Sequence, residues 1–366
     1  MRILHITPAY APSIGGIESV IAGLCGSLIA NGHVSDVVHV GSFVRENEVG
    51  SSGEVIYRVP RYGGRLLGIS PHIGRIAKDY DLLHVHDPQL LGLTASVALF
   101  AADRPAVLST HGGYRHTKAH AFAKSLHVRF LMRSFLDRFV CVCASSYADY
   151  EFFSRFSDKV QVLENAVQTD RFLSINQKST RSPYNWIYWG RIARHKRLDQ
   201  VVRLVAGLND IGCPVKLVIC GRDFDGSLRE VERQIMDRIL GDIIRVVRSP
   251  SDAELESEIA TSGFFVSASG YEGFGITVIE AMAAGLGVIA KGIPAYRRWL
   301  GENNFFLSDF SCDTKSILDL REIVESCSLS DFKRIGSVVS AKWSWSNRIH
   351  EFITLYRATV GDIAVQ

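Results

Sequence analysis

One segment late in the chain combines two carboxylates with a glycine-rich turn. It runs SGYEGFGITVIE from Ser269 to Glu280, after a predicted strand that ends near Ser267. A helix is predicted to begin near Gly275, and amides at a helix N-terminus are a favourable site for an anion. The pattern indicates a phosphate site in which Glu272 and Glu280 hold sugar hydroxyls on either side of a diphosphate. On spacing alone, ordinary turn glycines and a solvated helix glutamate remain an alternative.

A second segment places basic side chains after another predicted strand. Gly190 ends this strand, and Arg191 and Lys196 follow it at the mouth of the next predicted helix. Cations five positions apart across a loop can converge on one phosphate group. A solvated basic turn explains the same residues equally well at this stage.

The elements that must position these residues alternate along nearly the whole chain. Short apolar runs predict strands, and longer runs of helical period, such as Ile17–Ala30, separate them. This alternation is typical of parallel sheets with helices on both faces. The predicted strands are Arg2–Thr7, Ser35–Val40, Leu82–His86, Ala106–Thr110, Phe139–Cys143, Val160–Leu163, Trp186–Trp189, Val215–Cys220, Ile243–Val247, Gly263–Ser267 and Val288–Ala290.

The alternation is interrupted once, at the polar stretch Phe172–Asn185, which we interpret as a linker. We therefore predict an α/β chain of two doubly wound domains, at residues 1–171 and 172–342. A C-terminal helix in residues 343–366 is predicted to cross back to the first domain. Ligands bind at the carboxyl ends of such sheets, so two of them predict an enzyme with a central cleft.

Composition excludes several classes of protein. The chain of 366 residues is 47% hydrophobic and 22% charged, as in ordinary globular domains. A formal net charge of only +3 argues against a dedicated nucleic-acid binder. Neither a membrane-spanning run nor a signal peptide is predicted. The seven scattered cysteines lack zinc-site spacing, which predicts reduced thiols and a cytoplasmic location.

With these segments assembled, the chain resembles the retaining GT-B glycosyltransferases of family 4. The resemblance rests on Glu272-x7-Glu280 around Gly-Phe-Gly and on Gly190-Arg191-x4-Lys196. It extends to a glycine loop at Gly15 and Gly16, to Thr110-His111-Gly112-Gly113, and to Val162-Leu163-Glu164-Asn165 before the linker. Ile219-Cys220-Gly221 matches the end of a strand in the second domain.

The resemblance implies a role for each matched residue. Arg191 and Lys196 would neutralise the departing diphosphate, and Glu280 would hold the ribose hydroxyls. Glu272 would contact the transferred sugar, and His111 would hold one of its hydroxyls beside the anomeric carbon. The remaining donor-binding residues are implied to be Gly15, Gly16, Gly190, Gly221, Gly273, Phe274, Gly275, Ile276 and Thr277. The implied reaction retains configuration by front-face departure and attack, with the diphosphate stabilised by preorganised cations and amides.

The chain departs from the family pattern in two places. Gly285-Leu286-Gly287-Val288 stands where a proline is usual, and Asn165-Ala166-Val167 replaces Asn-Gly-Val. Neither change removes a charged group, so both bear on loop shape. Two Asp-x-Asp sequences, at Asp79 and Asp223, are interpreted as ordinary turns or helix ends, and we expect neither a metal nor another cofactor.

The acceptor side is predicted from a basic stretch. Between Arg104 and Arg138 lie seven Lys or Arg residues and one acid, with Phe122, Leu126 and Phe130 at helical spacing. This pattern favours a helix on an anionic membrane surface, although a core-packed helix with a solvated basic face is equally compatible. The predicted membrane or acceptor face comprises Lys118, Lys124, Arg129 and Arg133.

Finer resemblance points to a substrate class. Residues 111–117, 188–191 and 195–199 are similar to bacterial mannosyltransferases that extend lipid-linked oligosaccharides for exopolysaccharide. This resemblance implies a GDP-mannose donor and a polyprenyl-diphosphate-linked acceptor. It also implies a peripheral location on the inner face of the cytoplasmic membrane. A UDP-sugar donor, a non-hydrolysing UDP-GlcNAc epimerase, and a non-enzymatic sugar-nucleotide-binding partner remain possible at this stage.

Overall fold

The chain forms two compact units. The computed structural model describes residues 1–13, 15–41, 45–64, 68–87, 89, 91–112, 128, 130–299, 301 and 304–361. The first unit comprises Met1–Ala166 and Trp345–Gln366, and the second comprises Val167–Ser344. Each unit is built around its own sheet.

The first unit contains an eight-stranded sheet in the order β3-β4-β2-β1-β5-β6-β7-β8. All pairings are parallel except that of β3 with β4. The strands are β1 (Arg2–Thr7), β2 (Val34–Gly41), β3 (Arg45–Val49), β4 (Val55–Pro60), β5 (Leu82–His86), β6 (Ala106–Ser109), β7 (Cys141–Ala144) and β8 (Val160–Val162).

Within the described residues, five helices of the first unit lie between these strands. They are α1 (Gly16–Ala30), α2 (His72–Ala77), α3 (Gly92–Phe100), α4 (Met132–Asp137) and α5 (Tyr147–Phe153). All residues of β5, β6 and β7 are buried, as expected for parallel strands covered on both faces.

The second unit contains a six-stranded parallel sheet in the order β11-β10-β9-β12-β13-β14. Its strands are β9 (Ser182–Trp189), β10 (Lys216–Gly221), β11 (Ile244–Arg248), β12 (Ser262–Ser267), β13 (Gly287–Ala290) and β14 (Phe305–Leu307). Its helices are α6 (Thr169–Lys178), α7 (Leu198–Asp210), α8 (Leu228–Asp237), α9 (Asp252–Thr261), α10 (Ile276–Ala283), α11 (Thr314–Ser326) and α12 (Leu329–Trp343). The predicted α/β architecture of two doubly wound sheets is confirmed.

The C-terminal helix α13 (Trp345–Gly361) belongs to the first unit and packs on α1. A Cβ atom on Gly23 of α1 would lie only 2.1 Å from Nε1 of Trp345. Farther along α13, the Tyr356 hydroxyl lies 2.7 Å from Nδ1 of His84 on β5. The helix that follows the second unit is thus anchored in the core of the first.

Two expectations were wrong in detail. Residues 172–185 are not a linker, because α6 continues to Lys178 and β9 begins at Ser182. The polar composition concealed one apolar helix face, on which Phe172 and Ile175 are buried. Strands β3, β4 and β14 are not among the predicted strands; β3 is a polar edge strand, RENEV, without an apolar run.

Candidate active site

The topology of the second sheet brings two loops together. Strand β9 lies between β10 and β12, so the chain leaves β9 towards one side of the sheet and leaves β12 towards the other. Such a switch in strand order opens a crevice at the carboxyl ends of the strands. Lys196 follows β9 and Glu272 follows β12, which places both predicted motifs at this switch.

The loop after β9 turns on two glycines. Gly190 has φ of +137°, a conformation that favours glycine. A Cβ on Gly221, at the end of β10, would lie 2.1 Å from the Gly190 carbonyl oxygen. The two predicted donor-binding glycines therefore allow two strand ends to approach closely. Beyond them, the exposed guanidinium of Arg191 lies 5.0 Å from the centre of the Phe224 ring.

An ion pair joins the two loops. Nζ of Lys196, in a 3₁₀ turn at Arg194–Lys196, lies 2.5 Å from Oε1 of Glu272. Their side chains are only 10% and 15% exposed. Burial raises the pKa of the Glu272 carboxyl, but the Lys196 charge and hydrogen bonds from Lys196 and Ser269 bring it below its usual value. The site thus holds a carboxylate and an ammonium in direct contact.

A backbone hydrogen bond reinforces this junction. The Gly270 amide donates to the His195 carbonyl oxygen at 2.9 Å. Gly270 lies two residues before Glu272, and His195 lies one residue before Lys196. Both ends of the ion pair are therefore held by main chain as well as by charge.

The glycine turn leads directly into α10. Gly275 is the N-cap residue of this helix and has φ of +87°. A Cβ there would lie 2.8 Å from the Tyr296 ring, so a larger residue would be both strained and crowded. The Phe274 side chain is buried against Arg298 and Trp343. Only its backbone is therefore available to a ligand, together with the partly exposed Gly273, Ile276 and Thr277.

The second carboxylate lies on α10 itself. Nε1 of Trp189, the last residue of β9, donates to Oε2 of Glu280 at 3.1 Å. Burial raises the pKa of Glu280, and this hydrogen bond opposes the rise. An oriented carboxylate of this kind accepts hydrogen bonds well from neighbouring hydroxyl groups.

The predicted residues of the first unit lie near the carboxyl ends of its own strands. Gly15 and Gly16 lie at the N-terminus of α1, where Gly15 is extended and its carbonyl oxygen accepts from the Ser19 amide at 3.0 Å. His111 follows β6, has φ of +52°, and is partly exposed.

The turn that contains His111 is held on both sides by one carboxylate. Asp149, on α5, accepts hydrogen bonds from the Thr110 hydroxyl and from the Gly112 amide. The imidazole is held separately, with Nε2 2.8 Å from Nδ1 of His86. The unusual backbone conformation of His111 is thus stabilised from its flanks.

Two family models together match most of the chain. The model for glycosyl transferases group 1 matches residues 173–331, and that for Glycosyltransferase Family 4 matches residues 14–171. The chain is a glycosyltransferase with the GT-B fold. Pneumococcal O-GlcNAc transferase in complex with UDP and GlcNAc has the same fold, with a TM-score of 0.74 at 12% identity over 98% of this chain and 99% of that one. Sucrose-phosphate synthase from Thermosynechococcus elongatus has a TM-score of 0.76 at 19% sequence identity, over 99% of each chain.

Curated relatives match this glycosyltransferase over most of its length. A GDP-mannose:cellobiosyl-diphosphopolyprenol alpha-mannosyltransferase from Xanthomonas campestris is 26% identical over 100% of this chain and 99% of its own. A phosphatidyl-myo-inositol mannosyltransferase from Mycolicibacterium smegmatis is 27% identical over 83% of this chain and 79% of its own.

The Asp-x-Asp sequences of this glycosyltransferase are engaged in its own backbone. Asp225 accepts from the Arg194 amide at 2.9 Å, and Asp223 accepts from the Gly226 amide at 3.0 Å. Near the N-terminus, Asp81 accepts from the Arg2 amide at 2.8 Å. These contacts fit the interpretation of both sequences as structural turns.

The predicted membrane face is described only in part. Arg133 is exposed on α4, whereas Lys118, Lys124 and Arg129 lie outside the described residues. Phe130 and Leu131, just before α4, are also exposed. Among the helices described, none has the length and apolar character needed to cross a membrane.

The sequence analysis missed the residues that hold the predicted ones. Trp189, Ser269 and Asp149 orient Glu280, Glu272 and the His111 turn, and each belongs to a residue type common in structural roles. It also missed His84 and His86, although their alternation in Leu-His-Val-His places two imidazoles on one face of β5.

Proposed function

We propose that this glycosyltransferase moves mannose from GDP-mannose to a lipid-linked oligosaccharide, with retention of the anomeric configuration. The observation that carries the proposal is the end-to-end match to the Xanthomonas campestris enzyme, whose name gives this donor and a diphosphopolyprenol acceptor. A relative from Komagataeibacter xylinus with the same name matches 99% of this chain at 26% identity.

The cations of the second unit suit a diphosphate leaving group. Lys196 has three N–H donors, so it can keep Glu272 as a partner and still bind a phosphate oxygen. Arg191 is exposed at the same loop and adds a second positive charge. Negative charge builds on the diphosphate as the sugar leaves, and fixed cations and the amides of Gly275 and Ile276 lower that barrier.

The carboxylates suit the two sugars of the donor. Glu280, oriented by Trp189, accepts hydrogen bonds from the ribose hydroxyls. Glu272 contacts the transferred mannose from its position beside Lys196. His111 holds a mannose hydroxyl, and the leaving diphosphate itself takes the proton of the acceptor hydroxyl. No metal or other cofactor has a part in this scheme.

A transfer assay with a defined acceptor tests the proposal. Purified full-length protein is incubated with a synthetic polyprenyl-diphosphate disaccharide and, in parallel, GDP-mannose, UDP-glucose, UDP-GlcNAc or ADP-glucose. We expect a mannosylated lipid product only with GDP-mannose, and an α-linkage by NMR. Transfer only from a UDP-sugar would contradict the mannosyl assignment but leave a glycosyltransferase.

Two further reactions test for an isomerase and for a protein without catalytic activity. UDP-GlcNAc without acceptor is expected to remain unchanged, and its epimerisation would show an isomerase instead. A protein that binds nucleotide yet transfers no sugar from any donor to the defined acceptor would favour a non-enzymatic partner.

An enzyme that uses a lipid-linked acceptor must act at a membrane surface. The exposed Arg133, with Phe130 and Leu131 beside it, supports contact of this part of the first unit with anionic lipid. We expect the protein to float with vesicles containing phosphatidylglycerol but not with pure phosphatidylcholine. Arg133→Glu should weaken this binding, whereas Arg229→Glu, an exposed arginine on the second unit, should not.

A further inference from the structure

Four histidines of the first unit lie close together, with neighbouring ring centres 4.1–5.3 Å apart. Nε2 of His5 lies 3.1 Å from the Ser35 hydroxyl, and Nδ1 of His5 lies 3.0 Å from Nε2 of His86. Nδ1 of His86 lies 2.8 Å from Nε2 of His111. A continuous chain of hydrogen bonds thus runs from Ser35 on β2 through β1 and β5 to His111. His84 is the fourth histidine and is bonded elsewhere, to Tyr356 and Ser109.

Burial favours the neutral form of the rings in this chain at neutral pH. His5 and Ser35 are fully buried, as is His86, while His111 is partly exposed. Burial lowers the pKa of His5 to about 3 and that of His111 to about 4, and it also holds the pKa of His86 well below its usual value. A neutral imidazole carries one N–H, so each ring donates from one nitrogen and accepts at the other.

This constraint couples the three rings. If His5 donates from Nδ1, His86 must accept at Nε2 and donate from Nδ1, and His111 must accept at Nε2. The proton of His111 then lies on Nδ1. In the opposite direction, the proton position of all three rings is reversed together, so the proton position on His111 is coupled to the direction of the hydrogen bond between Ser35 and His5.

Ser35 has a directional preference. Its hydroxyl proton has two candidate acceptors, Nε2 of His5 at 3.1 Å and the sulfur of the neighbouring buried Cys25. A thiol sulfur is a weak acceptor, and an imidazole nitrogen is a strong one. The Ser35 proton therefore goes to Nε2 of His5, which directs the whole chain towards His111.

We propose that Ser35, His5 and His86 are positioning residues that fix His111 as an Nδ1–H donor towards a hydroxyl oxygen of the transferred sugar. This role rests on the proposed function of His111. The chain begins in the core and ends at the one histidine of the four that is partly exposed. A fixed donor needs no reorganisation when the sugar binds, which favours one orientation of its hydroxyl.

A buried metal site is the competing interpretation of the same rings. His5, His84 and His86 bring ligand atoms within 4.8 Å of one another. However, each of their six ring nitrogens already has a hydrogen-bond partner, and a metal would displace several of these bonds. The observed contacts therefore favour the proton-ordered chain.

The tautomers can be read directly. Full-length protein labelled with ¹⁵N-histidine, without ligand and near neutral pH, gives long-range ¹H–¹⁵N correlations for each ring. We expect His5, His86 and His111 all to carry the proton on Nδ1. A proton on Nε2 of His111, or about one equivalent of zinc per chain by elemental analysis, would overturn the proposal.

A matched pair of serine variants tests the positioning role. Ser35→Ala removes the hydroxyl that directs the chain, and we expect mixed tautomers at His111 with roughly a tenfold lower kcat for transfer. The affinity for nucleotide should be unchanged. Ser109→Ala removes an equally buried hydroxyl, 2.8 Å from Nε2 of His84, and should leave the His111 tautomer and kcat within about twofold of wild type.

The outcomes separate this proposal from the proposed function. Equal losses of kcat in both variants, or mixed tautomers in Ser35→Ala without loss of transfer, would overturn the positioning role alone. Transfer by the wild type from donors other than GDP-mannose would contradict the proposed donor and leave the tautomer result standing.

Discussion

Lys196 and Glu272 are 76 positions apart in the chain, and their side chains meet at 2.5 Å. The contact follows from strand order, because β9 and β12 are neighbours in the sheet and each residue lies in the loop that follows its strand. A buried ion pair of this kind contributes little net stability compared with apolar packing. Its value to this glycosyltransferase is that it fixes a positive charge and a carboxylate at the switch point.

Glu272→Gln tests the chemical importance of this pair. The amide keeps the shape of the side chain and can still accept from Lys196, but the carboxylate charge is lost. We expect transfer to fall on the order of 100-fold, a size typical of losing one preorganised electrostatic group. Steady-state kinetics with the preferred donor measure the effect.

A surface pair provides the control for this variant. Glu258 contacts Arg245 at 2.6 Å in an ion pair whose arginine side chain is 56% exposed. Glu258→Gln should leave transfer unchanged and alter the free energy of unfolding by less than about 1 kcal/mol. Comparable activity of Glu272→Gln and Glu258→Gln would remove Glu272 from the mechanism.

Gly221→Ala tests the close approach of β9 and β10. The added methyl group would lie 2.1 Å from the Gly190 carbonyl oxygen and 3.2 Å from Cγ1 of Ile192, and the Gly190 backbone leaves little room for adjustment. We expect a loss of about 1–3 kcal/mol in the free energy of unfolding, together with weaker nucleotide binding.

The matched control is Gly241→Ala, where the methyl group would enter open space. Chemical denaturation of both variants gives the comparison. If Gly221→Ala proved as stable as Gly241→Ala, the close packing of the two strand ends would not be a constraint on the site.

The buried histidines predict a specific pH dependence of stability. The pKa of His111 falls from 6.5 to about 4 on folding, and that of His5 falls to about 3. The unfolded chain therefore binds more protons below about pH 6.5, so stability is lost as the pH falls from there towards 4. Each such histidine contributes a slope of up to roughly 1.4 kcal/mol per pH unit.

Urea unfolding between about pH 7 and pH 5 measures this slope. His111→Gln, at a partly exposed position, should make it less steep by about one proton. An unaltered slope in His111→Gln would mean that the ring is protonated in the native state.

The scheme without a metal predicts full activity in chelator. Asp223 and Asp225 accept hydrogen bonds from loop amides, so their expected role is to shape the loop beside Lys196. Transfer rates should be equal with EDTA and with manganese. Activity that disappears in EDTA and returns with manganese would contradict the scheme.

The buried strands were the most predictable features. Buried parallel strands such as Leu82–His86 are short apolar runs, and the structure gives this strand the predicted bounds. The segments around Lys196 and Glu272 could be singled out because glycines and charges next to a strand end are uncommon elsewhere.

Other features depend on tertiary contacts that local sequence does not record. The helix α6 resembles a linker in sequence because only its buried face is apolar. Similarly, Asp149 and Trp189 become relevant only once folding brings them to the His111 turn and to Glu280. The order Ser35–His5–His86–His111 joins three strands and the turn after β6, and it could not be inferred from spacing.

Nucleotide binding is the most direct test of the central claim, that the site after β9 and β12 holds a nucleoside diphosphate. Thermal unfolding is measured for wild type and Glu280→Ala with GDP, UDP or ADP at millimolar concentration, without metal. A ligand at about 100 times its dissociation constant stabilises by roughly 2.7 kcal/mol, which raises the midpoint by a few degrees. We predict this rise with GDP in the wild type and a much smaller one in Glu280→Ala. Stabilisation by UDP alone would contradict the mannose donor, and no stabilisation by any of the three would contradict the site itself.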